Sequence, residues 1–506
     1  MTAAVKQISL ENPFASVLFD KSVACFHEDP ILKKQEQGKF YNCNLNEIQR
    51  KSVLQALNAR ELFLIHGPPG TGKTMTVVEI ILQLVKPMIR YASKDKNFTP
   101  PKILVCGPSN ISVDNIVERL ETSRQGIKMV RMGHPARLLE SALKHSIDVM
   151  VRESDGAALT ADVRKEIDLI LKDLKKKIPS SERREKYGEL KLLRKELKQR
   201  ENRLIKDVLM SSQVILTTLN GCGSKQMREM AFDVVIIDEA SQALEAECWI
   251  AINLARKVIL AGDHLQLPPT VKSKEASKEG LEKTLFSRIM NKKKKELSSF
   301  TSMLTLQYRM NEAIMSFSSK ELYDSQLIAD SSVQGHLLSH IPGVRKCEET
   351  EAPLFLIDTI GSCKLETLGG DDESKYNEGE VELVKRHLEL LVNAGVDPSL
   401  IAIITPYNAQ VECLRNQLSE KYAKLEIGSV DGFQGREKEA IIISLVRSNN
   451  KSDIGFLSEV RRMNVALTRA KRHCCLVCDS ETVSCHPFYE RLLDHFQENG
   501  VVQYCE

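Results

Sequence analysis

Residues 67–74 read Gly67-Pro68-Pro69-Gly70-Thr71-Gly72-Lys73-Thr74, between the apolar run LFLIH and a helical pattern beginning TVVEIILQLV. Glycines at this spacing let backbone N–H groups close around phosphate oxygens, and the start of the helix adds the positive end of its dipole. Lys73 supplies a point charge for the β- and γ-phosphates, and the Thr74 hydroxyl suits Mg²⁺. A nucleoside triphosphate is the ligand such a loop takes. Asp238 and Glu239 end a second apolar run, VVII. Two acids at the end of a strand arrive at the rim where phosphates lie, so Asp238 is expected in the Mg²⁺ shell and Glu239 beside the attacking water. Hydrolysis develops more negative charge than one lysine can neutralise. Arg309 in QYRM and Arg469 in NVALTRAK are the candidate cations, both remote in sequence from the loop.

The elements that must carry these residues follow from periodicity. From about residue 60, short apolar runs (ELFLIHG, KILVCGPS, QVILTTLN, FDVVIIDEA, KVILAGD) alternate with helical patterns. Strands that are apolar on both faces and alternate with helices predict a parallel α/β sheet. A second series starts near residue 353 with PLFLIDT and continues through IAIITPY, AIIISLV and HCCLVCD. The expected fold class is therefore α/β, with two such units in tandem. Residues 161–210 break the pattern. They hold 16 Lys/Arg against 10 Asp/Glu, with apolar positions at helical spacing (Ile167, Leu171, Leu174; Leu192, Leu193, Leu197). This stretch reads as a helical hairpin inserted in the first unit, turning near Pro179-Ser180-Ser181. A second basic run, Lys292 to Lys295, reads as a loop tip.

Composition narrows the class. The chain has 506 residues, 42% hydrophobic and 27% charged, which excludes a fibrous or disordered protein, and a net charge of +3, too small to announce a polyanion partner. No run of 18 apolar residues is present and the N-terminus lacks the apolar stretch of a secretory signal, so no membrane association is expected. Thirteen scattered cysteines, an odd number, fit free thiols in a reducing compartment better than a disulfide framework. Cys475 and Cys478 stand at metal-like spacing near His473, Cys485 and His486. A second ligand pair at a convincing spacing is missing, so HCCLVCD reads as a buried strand.

Taken in order, the motifs resemble those of superfamily 1 helicases of the up-frameshift-like group. Gln49 in LNEIQRKSV matches the adenine-reading glutamine motif. GPPGTGKT then matches motif I, GPSNISVDN (107–115) motif Ia, DEAS (238–241) motif II and GDHLQLPP (262–269) motif III, followed by LQYRM (306–310). TPYNAQ (405–410), VDGFQGREKE (430–439) and RRMNVALTRAK (461–471) match motifs IV, V and VI. Within the group the chain is most similar to the immunoglobulin-mu-binding (Smubp) branch, through GHPARLLESALKHSIDVMV (133–151) and LLRKELKQRE (192–201).

The resemblance implies two RecA-like domains, 42–305 and 306–506, with a helical insertion at about 140–208. Residues 1–41 would be an N-terminal extension, the end of a stalk whose β-barrel is expected to be absent. It implies ATP and Mg²⁺ as cofactors. The nucleotide would be bound by residues 67–74, with Gln49 and Tyr308 on the adenine and Gln266 sensing the γ-phosphate. Glu437 would reach it from the second domain, and Arg309 and Arg469 would act as arginine fingers. Single-stranded RNA or DNA would be held by Pro108, Ser109 and Asn110, by Thr217 and Thr218, by Pro406 and Tyr407, and by Asp431 and Gly432. Short polar side chains and loop amides suit a strand gripped by its backbone without sequence readout. The implied activity is ATP-driven 5′-to-3′ translocation and unwinding by a monomer, in the cytoplasm, the nucleus or both, with ribonucleoprotein or the translation machinery as partners. Two rivals remain at this point: a nucleic-acid-stimulated ATPase that clamps or remodels without unwinding, and a nucleotide-gated scaffold with no polynucleotide ligand.

Overall fold

The computed structural model describes residues 40–86, 101–154, 156–176, 179–291, 300–362, 364–369 and 374–505. The expected N-terminal extension, but for its last two residues, and the Lys292 to Lys295 run lie outside them. The chain forms two compact units. The first comprises the residues up to Ile65, Thr74–Gly262 and Pro269–Ser302; the second takes His66–Lys73, Asp263–Pro268 and everything from Met303.

In the first unit, but for the strand-end residues His66 and Met303, β1 (Leu62–His66), β2 (Ile103–Gly107), β3 (Met129–Arg131), β4 (Val214–Thr218), β5 (Phe232–Ile237), β6 (Ala255–Gly262) and β7 (Thr301–Met303) form a sheet of order β3-β4-β2-β5-β6-β1-β7. Strands β1 and β2 are buried along their whole length, the expected state of a sheet covered on both faces. The parallel register runs Gly107↔Thr218 and Cys106↔Ile237. The residues that follow β2, β4 and β5 therefore leave the same edge of the sheet. Pro108, Thr218 and Asp238 all come from that edge. Leu64, Cys106, Ile215, Val235, Trp249, Leu260 and Phe286 belong to one core cluster, each large aliphatic or aromatic member contributing about 1.5–3 kcal/mol by leaving water.

Helices α1 (Glu47–Asn58), α2 (Lys73–Val85) and α3 (Asn110–Thr122) accompany the sheet. Between β3 and β4 the chain runs through α4 (Ala157–Leu174) and α5 (Ser180–Ser211). These two pack on each other through a small core of their own, Val163, Ile167, Ile170, Leu174 and Leu190. Pro179 sits at the N-cap of α5 with ψ 149, where a proline pre-sets entry to a helix and cannot continue the one before it. At 32 residues α5 is about 48 Å long.

The second unit is built on β8 (Leu354–Asp358), β9 (Ile401–Thr405), β10 (Glu426–Ser429), β11 (Lys438–Ser444), β12 (Ala470–Cys478) and β13 (Val501–Tyr504), in the order β10-β9-β11-β12-β8-β13. All five strand pairings in this sheet are parallel. Its helices include α6 (Glu378–Asn393), α7 (Asn408–Leu418) and α8 (Val460–Leu467). Alternation along β12 sends Cys474, Leu476 and Cys478 to one core cluster and Cys475 and Val477 to the other. Cys475 and Cys478 thus face opposite sides of the sheet and cannot share a metal, so HCCLVCD is the buried strand its composition suggests. Among the described residues no helix is long and apolar enough to cross a membrane.

Candidate nucleotide and nucleic-acid site

The loop after β1 takes its shape from its glycines. Gly70 and Gly72 have φ +74 and +77, in the left-handed region that only glycine enters without strain. A Cβ at Gly67 would stand 2.6 Å from Lys73 Cβ, so a side chain there would displace the lysine. The Thr71 hydroxyl donates to the Pro68 carbonyl at 2.7 Å and pins the turn. Lys73 and Thr74 open α2.

Residues remote in sequence converge on this loop. The Tyr308 N–H donates to the Gly70 carbonyl at 2.9 Å. A Cβ at Gly70 would meet Arg309 Cβ at 2.7 Å, so the two backbones touch. Arg309 Nε pairs with Glu437 Oε2 at 2.5 Å, and its Nη1 donates to the Thr468 carbonyl at 3.1 Å. Lys471 Nζ holds the other Glu437 oxygen at 3.1 Å. Burial alone would raise the Glu437 carboxyl, but Arg309 and Lys471 outweigh it and hold the group below the usual range. Arg469 Nη2 donates to Gln266 Oε1 at 3.4 Å, while its Nε and Nη1 are tied to the carbonyls of Val465 and Arg436. Gly70, Tyr308, Arg309 and Glu437 therefore form one connected series, and Gln266 and Arg469 another.

The acids expected at the phosphates follow β5. Asp238 is 2% exposed, and its Oδ1 accepts from the Glu239 N–H at 2.9 Å. Glu239 has φ 54 and ψ 38, left-handed and non-glycine, which costs on the order of 1–3 kcal/mol. Gln242 Nε2 donates to Glu239 Oε2 at 2.7 Å. Strain of this kind at the end of a sheet strand marks a residue aimed by its surroundings. Asp238 and Thr74 offer hard oxygen donors of the type Mg²⁺ takes, so the donor set fits that ion. Gln49 is the third residue of α1, and its Oε1 accepts from the Asn46 N–H at 3.0 Å while Asn46 Oδ1 accepts from the Gln49 N–H at 2.8 Å. The glutamine thus also closes a capping box.

The residues expected to grip a strand divide by exposure. Ser109 is exposed at the N-cap of α3, its Oγ accepting from the Ser112 N–H at 3.2 Å. Pro108 and Asn110 are half-buried, and Asn110 Oδ1 accepts from Arg131 Nη2 at 2.9 Å, a guanidinium also bound to Asp114. Asp431 and Gly432 are exposed. Thr218, half-buried, accepts from the Gly221 N–H through its Oγ1 at 3.3 Å. Two of the expected contacts differ in exposure from the others. Thr217 is 1% exposed and Tyr407 3%, so each side chain faces the interior of its own unit. Pro406, next to Tyr407, is half-buried. The Tyr407 hydroxyl accepts from Arg447 Nη1 at 3.3 Å.

Sequence reasoning missed a hub beneath Gln266. His66, Asp263 and His264 bring ligand atoms within 4.8 Å of one another. Both Asp263 oxygens are engaged by protein donors, Oδ1 with His66 Nε2 and the Leu265 N–H, Oδ2 with Gln266 Nε2 and the Tyr323 hydroxyl. That saturation reads as an anchor for the 263–268 loop, not an ion site. Tyr323 carries no local signal, since KELYDS looks like the inner face of any amphipathic helix.

Comparison with known proteins agrees with the motifs. Family models described as AAA domains match residues 44–274 and 281–481. The DNA-binding protein SMUBP-2 of Mesocricetus auratus is 50% identical over 468 residues, 92% of this chain and 46% of the relative. The DNA polymerase alpha-associated DNA helicase A of Schizosaccharomyces pombe is 44% identical over 470 residues, 92% of this chain and 68% of the relative. An uncharacterized ATP-dependent helicase of Methanocaldococcus jannaschii is 36% identical over 508 residues, covering 92% and 72%. The chain spans about half the length of the SMUBP-2 relatives it matches.

Proposed function

We propose that this chain, which belongs to the family of SMUBP-2 and DNA helicase A, hydrolyses ATP to move 5′ to 3′ along single-stranded RNA or DNA and to separate duplexes. The observation that carries the reading is the convergence of Tyr308 and Arg309 on the glycine loop at Gly70, with Arg469 on Gln266. A phosphate loop supplied with two guanidiniums and an amide is equipped for transfer of a terminal phosphoryl group, whose transition state spreads charge over equatorial oxygens. In this reading Lys73 and the loop amides bind the phosphates. Glu239 orients the water and takes its proton. Arg309, now paired with Glu437, and Arg469, now on Gln266, turn to the developing charge. Thr74 and Asp238 would hold Mg²⁺, which would supply charge neutralisation for the phosphates. Ser109, Thr218, Asp431 and Gly432 present loop amides and short polar groups to the strand, a grip without base readout.

ATPase rates with and without matched single-stranded RNA and DNA, with strand displacement from duplexes bearing a 5′ or a 3′ overhang, test the reading. Expected are stimulation by a single strand, product from the 5′-tailed duplex, and loss of turnover in the Glu239→Gln variant with ATP still bound. Stimulation without product would make the protein a clamp. A Glu239→Gln variant that turns over at the parent rate would end the proposed mechanism.

A further inference from the structure

The motif pattern places Tyr407 at the strand, yet its ring is buried, and the exposed ring beside it belongs to Phe456. Phe456 is 52% exposed, an apolar ring left in water. Its centroid lies 5.6 Å from that of Tyr407 at an interplanar angle of 44°. The Arg462 guanidinium stands over the Phe456 ring at 5.9 Å, and Arg462 Nε is 3.8 Å from Asp431 Oδ2. The ring thus sits among residues from two of the segments already assigned to the strand.

The ground beneath it is built, not incidental. Arg447, 2% exposed, donates through Nη1 to the Tyr407 hydroxyl and through Nε to Glu366 Oε2 at 2.7 Å, and its Nη2 pairs with Asp453 Oδ2 at 2.9 Å. Gly455 has φ +51, and a Cβ there would run into Arg447 Nη1. The residue before Phe456 must therefore be glycine for the turn to lie on the guanidinium. Val446 has φ 72, a true outlier for a β-branched residue. It is kept there by its N–H donating to Glu380 Oε2 at 2.9 Å and its carbonyl accepting from Asn377 Nδ2 at 3.3 Å. Strained backbone persists only where its surroundings over-determine it, and here it aims Arg447 under the Tyr407–Phe456 pair.

We propose that Phe456 is a stacking platform for one base of the bound strand, with Arg462 flanking the ring and Tyr407 and Arg447 as its rigid support. The proposal rests on the single-strand reading above and deepens it by naming where a base is held. The ligand is a nucleobase of an unpaired polynucleotide, taken by its flat face and so with little sequence preference. Phosphate recognition is not its task, since the two guanidiniums near it already face carboxylates, Arg462 that of Asp431 and Arg447 that of Asp453.

The test is a titration of 2-aminopurine-containing single-stranded DNA and RNA with the full chain, at two salt concentrations. In the Phe456→Ala variant affinity falls about tenfold to a hundredfold. Quenching of 2-aminopurine disappears, and the salt slope stays that of the parent because no ionic pair is removed. Phe456→Trp keeps both affinity and quenching. An alanine variant that binds and quenches like the parent, or that weakens with quenching intact, overturns the platform while leaving the strand reading standing. A parent protein that binds no single strand at all removes both.

Discussion

One hydroxyl joins the 263–268 loop to α8. Tyr323, buried, donates to Asp263 Oδ2 at 2.7 Å and accepts from Asn464 Nδ2 at 3.1 Å, and the same Asn464 amide donates to the Leu265 carbonyl at 2.9 Å. Burial and the Asp263 charge push the Tyr323 hydroxyl well up, so it remains a donor throughout the working range. Burial would raise Asp263 as well, but His66, Gln266 and Tyr323 outweigh it and keep the carboxylate ionised. Gln266, held by Asp263, and Arg469, two residues beyond α8, are thereby positioned through one side chain. Tyr323→Phe removes only the oxygen. It should cost about 1–3 kcal/mol of stability by leaving Asp263 short of a donor, and lower kcat about tenfold with KM for ATP nearly unchanged, the signature of an interaction made only in the transition state. Equal falls in nucleotide affinity and turnover would instead mean simple loosening of the site. This residue shows where sequence reading stops. GPPGTGKT and DEAS are legible because a local backbone rule fixes them: glycines for left-handed turns, acids at a strand end. The Tyr323–Asp263 bond spans 60 positions and leaves no local trace. Thr217 and Tyr407 come to the strand through the motif resemblance alone; Thr217 lies within β4 and Tyr407 is the N-cap of α7, and no local pattern at either position says that its side chain turns inward.

At the scale of elements, α5 separates its charges around its axis. Successive residues rotate by about 100°, so Arg184, Lys191, Lys195 and Lys198 share one side while Glu185, Glu189, Glu196 and Asp207 share another. Among the described residues, Lys191, Lys195 and Lys198 have no acidic partner, whereas Glu196 pairs with Arg200 at 2.6 Å and Arg164 with Glu201 at 2.6 Å. A row of unpaired cations every three or four residues matches a polyphosphate better than a protein face of mixed charge. The triple variant Lys191→Ala, Lys195→Ala, Lys198→Ala should bind single strands more weakly. The plot of log affinity against log salt should become shallower by about 0.7 for each phosphate no longer neutralised, near two in all. All three side chains are exposed, so thermal stability should move within about 0.5 kcal/mol. An unaltered slope would make the hairpin a solvated spacer. The helices themselves are legible from a 3.6-residue period and the Pro179 turn. The segregation is visible only once Leu190 and its neighbours show which side packs on α4, because a net surplus of positive charge says nothing about the direction it faces.

For the molecule as a whole, translocation requires that nucleotide and strand alter each other's binding. The groups assigned to the strand are divided between the two units: Ser109 and Thr218 in the first, Asp431 and Phe456 in the second. Gln266, Arg309, Glu437 and Arg469, assigned to the nucleotide, belong to the second, while Asp238 and Glu239 belong to the first. By linkage, whatever factor the nucleotide imposes on strand affinity the strand must impose on nucleotide affinity. Strand affinity measured with a non-hydrolysable ATP analogue and with ADP should therefore differ by about 5- to 150-fold, the usual range for such coupling. Analogue affinity with and without a saturating strand should change by the matching factor. Arg469 is the guanidinium whose present partner, Gln266, lies on the loop that would meet the terminal phosphate. Arg469→Ala should bring the coupling factor close to one and reduce turnover by about a thousandfold or more, while the affinity for ADP or for strand alone stays within a few fold of the parent. Identical strand affinity in every nucleotide state of the parent protein would remove the basis for a motor, whatever its ATPase rate. Coupling that survives in Arg469→Ala would move the sensing role to Arg309, whose bond to Glu437 would then be the one that ATP must break.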